Sequence, residues 1–245
     1  LCRFIKEKQI NTLCWTASAF ANISAFGTLD AVSMEHLRTV CFGSEVFSRA
    51  EYDKWRAACP HTSFFNLYGP TEATGMSCYW KAERELADQE PIPVGVPFDN
   101  TDIILLTDEN KRATDGETGE ICIRGTCVTM GYYNNAEKTA DAFVQNPLQH
   151  AYPEIIYRMG DIGRVNEHGE LVFVCRKDNQ IKHMGHRIEL GEIETAALEC
   201  DGVGRSACVY NDTLKEIVLF YTGTQSDSLL MTQLAARIPR YMLPA

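Results

Sequence analysis

The 245-residue sequence contains no apolar run approaching the length of a membrane span. It shows no signal peptide, no internal repeat and no low-complexity segment. Its ten cysteines include no Cys-x-x-Cys pair, so neither a zinc module nor a dithiol redox motif is indicated. His183 and His186 stand three apart with no further ligand nearby in sequence, which argues against a metal centre there. Clustered basic charge is also missing. The one concentration, Arg176 to Arg187, is short and broken by Asp178, within a chain of 23 basic and 33 acidic residues and net charge −10. Nucleic-acid binding needs clustered Lys and Arg to neutralise phosphates, so no nucleic-acid partner is expected. The expectation is a protein with no membrane partner, in a reducing, cytoplasmic compartment, with cysteines serving as small hydrophobes.

Apolar residues make up 45% of the chain and charged residues 23%, enough for a core in one large or two modest domains. The chain starts at Leu1 in helix-like sequence and stops soon after a proline, which suggests a piece of a longer protein. Over about 1–90 the pattern alternates strand and helix. INTLCW, LRTVCFG and TSFFNLY read as strands, and SAFANISAF and 48–59 as helices, the latter with Ser48 as N-cap. That rhythm predicts a mostly parallel sheet with covering helices, an α/β unit. Over about 91–177, PIPVGVPF, DIILLTDE, GEICIRG and GELVFVCR read as short strands between turns, predicting a β-rich barrel or curled sheet with one helix in NAEKTADAFV. From 178 to 245 a hairpin, two helices and two strands predict a small α+β domain.

Three stretches carry candidate chemistry. NLYGPTEAT, at 66–74, follows a strand end, where open α/β sheets bind ligands. There the Thr71 hydroxyl can donate to a phosphate, and Glu72 can hold Mg²⁺ against the phosphates. Tyr68 offers a flat face for a base and Asn66 an amide to read its edge. The plain alternative is a capped turn. In YRMGDIG, Asp161 follows a glycine that predicts a tight turn, and its carboxylate suits ribose hydroxyls; an ordinary Gly-Asp turn is the alternative. In CRKDNQIKHMGHRIELGEIE, Asp178 lies where composition changes, which makes it a candidate hinge; a solvated charged face is the alternative.

Together, in this order and spacing, these stretches resemble the adenylate-forming superfamily, as do GEICIRGTCVTMGYYNNAEKT and ARIPRYMLP. The resemblance spans essentially the whole chain. The pairing of YGPTE with GHRIELGEIE is most like the amino-acid-activating branch, which includes nonribosomal peptide synthetase adenylation domains and D-alanine–carrier protein ligases.

The resemblance implies activation of a carboxylate by Mg·ATP to an acyl-adenylate, then transfer to a carrier protein's phosphopantetheine thiol, or to coenzyme A. It places Tyr68 against adenine, Asn66 at its edge, Thr71 at phosphate, Glu72 on Mg²⁺ and Asp161 on the ribose. Arg176 lies nearby and Phe173 close to the base. Gly43, Ser44 and Glu45 match a segment that passes the adenine. Asp178 becomes the hinge and Gly185 part of the pantetheine tunnel. Cys14, Cys41, Gly43, Leu67, Gly75 and Met76 would line the acyl pocket, implying a small or medium apolar amino acid.

Met130, Met159 and Cys175 stand where the family usually has Arg, Thr and Gly. The family's phosphate loop and the acid that grips the substrate's amino group would lie upstream, and its catalytic lysine downstream. Residues 1–245 alone are therefore expected to be inactive. The domain boundaries expected are 1–177, the C-terminal part of a large AMP-binding domain, and 178–245. The alternatives are an acyl- or aryl-CoA ligase and a non-catalytic nucleotide-binding homologue.

Overall fold

The computed structural model describes residues 1–27, 29, 34–88, 90–177 and 180–245. It divides into two compact units, Leu1–Lys177 and Asp178–Ala245. The residue expected as hinge, Asp178, lies outside the described residues. Among the described residues, no helix is long and apolar enough to cross a membrane.

The first unit opens with α1 (Cys2–Glu7), β1 (Thr12–Thr16), α2 (Ala17–Ala25), β2 (Thr39–Gly43), α3 (Arg49–Ala58) and β3 (Ser63–Tyr68), followed by β4 (Cys78–Lys81) and β5 (Val96–Pro97). These strands form one sheet in the order β1-β2-β3-β4-β5. The pairs β1–β2 and β2–β3 are parallel, whereas β4 and β5 add antiparallel, so the sheet is mixed rather than mostly parallel. Ser48 caps α3 as expected, its side chain accepting from Glu51 N at 3.3 Å. Thr16 does the same for α2.

Period-2 alternation sends Val40, Phe42 and Phe64 to one sheet face, where they meet Phe20, Tyr52 and Trp55. Trp55 is fully buried, edge-on to Phe20 at 5.0 Å, and its indole N–H donates to Phe20 O at 3.0 Å. The strands can approach closely only because Gly43 has no side chain: a Cβ there would sit 2.3 Å from Leu67 O.

A second sheet follows from β6 (Thr101–Leu106), β7 (Gly119–Gly125), β8 (Phe143–Gln145), β9 (Ile155–Val165) and β10 (Leu171–Arg176), with α4 (Ala136–Ala142) before β8. Its order is β10-β9-β7-β6, with β8 pairing β9, all antiparallel. PIPVGVPF yields only the two-residue β5, because two of its prolines, Pro91 and Pro93, have no N–H for a ladder. YRMGDIG is not a tight turn but the middle of the 11-residue β9. Between the pairs Arg158–Cys122 and Ile162–Glu120, β9 carries two more residues than β7, so Met159, Gly160 and Asp161 bulge. Gly160 takes φ 72° there, a conformation cheap only for glycine.

The second unit contains the hairpin β11 (Gln180–His183) and β12 (His186–Glu189), then α5 (Leu190–Leu198), β13 (Val203–Asn211), β14 (Glu216–Gly223) and α6 (Asp227–Ala235). Ile193, Ala196 and Ala197 face inward from α5 as their spacing predicts, and Ile188, Cys208, Ile217 and Leu234 join the unit's cores. Gly185 sits at the hairpin tip with φ 81° beside the exposed Met184.

Trp55→Ala is expected to destabilise the protein by about 3–5 kcal/mol, the usual cost of emptying a buried aromatic site. Denaturant unfolding followed by circular dichroism checks this, and a loss below about 1 kcal/mol would contradict the packing described.

Candidate active site

NLYGPTEAT begins inside β3 and leaves it through a turn held by its own backbone. Ser77 N donates to Tyr68 O at 2.8 Å, and a Cβ on Gly69 would lie 2.4 Å from Ser77 N, so the loop closes only with glycine. Thr71–Ala73 form a single 3₁₀ turn, and the Thr74 hydroxyl donates to Cys127 O at 2.7 Å. The loop is therefore preset before any ligand arrives.

Two distant motifs meet at Asp161. The bulge in β9 aims its carboxylate inward, where it is 1% exposed. Arg176, its ladder partner on β10, donates through Nη1 to Oδ1 at 2.5 Å and to Met159 O at 2.9 Å. Tyr68 donates its hydroxyl to Oδ2 in a short hydrogen bond. Burial, then the Asp161 charge, push the Tyr68 phenol well above its ordinary value. Tyr68 is 7% exposed and packs with Ala73, Ile121, Tyr157 and Met159, with the half-buried Phe173 beside that cluster.

Glu72 is buried, and its Oε1 accepts from the Tyr132 hydroxyl at 2.6 Å. Its backbone carbonyl accepts from Thr129 N at 2.9 Å, tying this loop to the segment after β7. Thr71, one residue earlier, is exposed. Burial first, then the hydrogen bond to Glu72, raise the Tyr132 phenol far above its usual range.

Other candidate residues are placed less simply. Asn66 is buried and donates its amide to Pro93 O at 2.8 Å, so that donor is already used. Ser44 is exposed with φ 67°, and Glu45 Oε2 accepts from Ser18 N at 3.0 Å near the start of α2. There the carboxylate meets the positive end of a helix. Cys14 and Cys41 are opposed on β1 and β2, while Gly43 opposes Leu67 on β3. Gly75 and the exposed Met76 follow the 3₁₀ turn. Gly185 belongs to the second unit.

Sequence reasoning missed Tyr132 as the residue that holds Glu72. It also missed Glu120, buried on β7, which accepts from Arg158 Nη2 at 2.6 Å and from Gly160 N at 3.3 Å beside the bulge. Glu120 was visible only as a charge at the start of an apolar strand, and nothing nearby in sequence names its partner.

What the arrangement can do follows from its charges. An exposed hydroxyl and a carboxylate on a preset loop suit a phosphate with a divalent cation. A carboxylate that holds hydroxyl and guanidinium donors has the acceptor chemistry a ribose diol needs. The carboxylate keeps acceptor capacity beyond these two donors, but it is 1% exposed, so a ribose reaches it only if a covering side chain moves.

The raised phenols of Tyr68 and Tyr132 have a measurable consequence. A folded pKa above the unfolded value near 10 leaves their contribution to stability intact below about pH 10 and removes it as pH rises through the folded values. Ultraviolet titration should find both phenols un-ionised until alkaline unfolding, and Tyr68→Phe should change only the unfolding-linked step. Ionisation of all ten tyrosines near pH 10 in folded protein would contradict this burial.

A family model described as "AMP-binding enzyme" matches residues 1–133. Along its whole length the chain is 33% identical to the delta-poly-L-ornithine synthetase of Acinetobacter baumannii (strain AB307-0294), covering 18% of that protein. Over 99% of its length it is 31% identical to tyrocidine synthase 3 of Brevibacillus parabrevis, covering 4% of that protein. Among solved structures, IdnL1 matches 99% of the chain with a TM-score of 0.89 at 26% identity, over 50% of its own chain. PA1221, a nonribosomal peptide synthetase protein containing adenylation and PCP domains, matches 99% with a TM-score of 0.81 at 27% identity, over 48% of its own chain. The chain thus spans less than a fifth of these two curated relatives and about half of the two solved chains. With a family model matched over more than half of its residues and a curated relative one-third identical throughout, the chain belongs to the AMP-binding, adenylate-forming enzymes and resembles the adenylation domains of peptide synthetases.

Proposed function

We propose that this chain is part of an ATP-dependent ligase that activates an amino acid as its adenylate and passes it to the phosphopantetheine thiol of a carrier protein, in a cytoplasmic setting. The observation that carries the reading is the meeting of Tyr68, Asp161 and Arg176, two motifs 93 residues apart joined at one buried carboxylate. A relative that matches the chain contains adenylation and PCP domains, which supports the carrier-protein partner.

Attack of a carboxylate on the α-phosphorus of ATP brings two anions together. The new C–O–P link forms as the bond to pyrophosphate breaks, so positioning and charge neutralisation dominate the barrier. Mg²⁺, when bound, neutralises phosphate charge. Glu72 is the residue here that would hold it, and the donor set fits: a carboxylate oriented by Tyr132 beside the exposed Thr71 hydroxyl. Thr71 donates to a phosphate oxygen. Asp161 takes the ribose hydroxyls once a covering side chain moves aside, and Tyr68 and Phe173 border the base. Asn66 acts by fixing the strand end through Pro93, with its carbonyl oxygen left to meet the base. Ser44 and Glu45 hold the β2 end near the nucleotide.

Two-step chemistry at one site calls for a moving part. In this reading the unit from Asp178 onward turns about that residue, and Gly185 borders the channel for the pantetheine arm. The acyl group rests against Cys14, Cys41, Gly43, Leu67, Gly75 and Met76, all uncharged. The substrate is therefore a small or medium apolar amino acid.

In the whole protein, amino-acid-dependent exchange of pyrophosphate into ATP is the test. Small or medium apolar amino acids should support it, and Glu72→Gln should lower it by roughly 100-fold or more. A clear preference for Asp or Lys would overturn the pocket, and full exchange by Glu72→Gln would overturn the metal assignment.

A further inference from the structure

All ten cysteines are thiols rather than disulfides. Among the described residues, Cys59, Cys78 and Cys41 are pushed up first by burial, and each has a second thiol close enough to add to it: Cys2, Cys127 and Cys14 respectively. The first two pairs include Cys2, Cys59 and Cys78, which are buried and closed to a ligand. The third differs, because Cys14 is exposed and Cys41 half-buried.

Cys14 and Cys41 are directly opposed on the parallel strands β1 and β2. Opposed residues present their side chains on the same face. Val40 and Phe42 flank Cys41 along β2 and point into the aromatic core, so both thiols stand on the other face of the sheet. Neighbouring strands lie about 4.7–4.9 Å apart. A disulfide wants its Cβ atoms near 3.8 Å, so closing one directly would pull the strands together. A bridging atom relaxes that demand: thiolate–metal bonds are about 2.3 Å long, so one centre reaches two sulfurs across this gap.

We propose that Cys14 and Cys41 form a two-thiol chelate for a soft, thiophilic centre, the chemistry of trivalent arsenic or of copper(I). Soft centres prefer thiolate over the oxygen and nitrogen donors elsewhere on the chain. Burial, with the neighbouring Cys14, pushes the Cys41 thiol up, so that proton is lost as the second bond forms rather than before it. With an arsine oxide the step balances without oxidant: two As–S bonds form, the As–O bond breaks, and the oxygen leaves with both thiol protons as one water. The inference stands on strand register and exposure and does not need the ligase reading. If that reading holds, the filled chelate sits in the acyl pocket.

The test is phenylarsine oxide added to the 245-residue chain, followed by digestion and mass spectrometry. Trypsin cuts after Lys8, Arg38 and Arg49, giving peptides 9–38 and 39–49 with one cysteine each. Those two should be found joined through a single arsenic, released by ethanedithiol but not by a monothiol. Cys14→Ser and Cys41→Ser should each weaken capture by about 100-fold or more, the usual loss when a chelate becomes a single contact. Cys14→Ala, on the exposed side, repeats the comparison with little risk to folding, which circular dichroism confirms. Arsenic joining any other pair, no capture, or unchanged affinity in a correctly folded single variant overturns the proposal.

Discussion

The buried carboxylate of Asp161 sets the terms for the first unit. A charge that is 1% exposed must be paired, and losing one partner of such a pair typically costs about 3–5 kcal/mol. Arg176 supplies the counter-charge from the adjacent strand and Tyr68 a hydroxyl from the other sheet. The bulge in β9, the register of β10 and the exit of β3 are thereby tied together. Glu120 steadies the same bulge from beneath by accepting from Gly160 N while paired with Arg158. A strand that only had to bury Ile156 and Tyr157 would need no such irregularity.

The same constraint shapes the proposed chemistry. The loop bearing Thr71 and Glu72 starts at Tyr68, so its position is inherited from the Asp161 junction and from the tight turn at Gly69. Tyr132 adds a second fixing point by orienting Glu72. These groups are held before ligand arrives, which lowers the cost of arranging them during reaction. In the proposed reading a ribose reaches the 1%-exposed Asp161 only when a covering side chain moves, so nucleotide binding is coupled to a local rearrangement of Tyr68 or Arg176.

Local signals in the sequence were sufficient for elements with strong periodicity or caps. Ser48 and apolar positions at helical spacing identified α3, and runs rich in apolar and β-forming residues identified β2 and β3. They failed where long-range pairing overrides a local cue. Gly160-Asp161 looks like a turn, yet pairing with β7 and β10 keeps it in a bulged strand. PIPVGVPF has the right apolar content but too many prolines for a ladder. The candidate residues Tyr68, Asp161 and Arg176 were legible as motifs, but their shared carboxylate was not. Nor was the use of Asn66's amide by Pro93, or of Tyr132 by Glu72, since each pairs residues 27 or more apart.

The central claim is that the Tyr68–Asp161–Arg176 junction is a nucleotide site closed by its own side chains. A crystal structure of the whole protein with bound AMP tests it directly. The account predicts the ribose hydroxyls within hydrogen-bond distance of Asp161, with Tyr68 or Arg176 shifted to admit them. AMP bound with both the Tyr68 and Arg176 contacts to Asp161 intact, and with no ribose contact to that carboxylate, would contradict it.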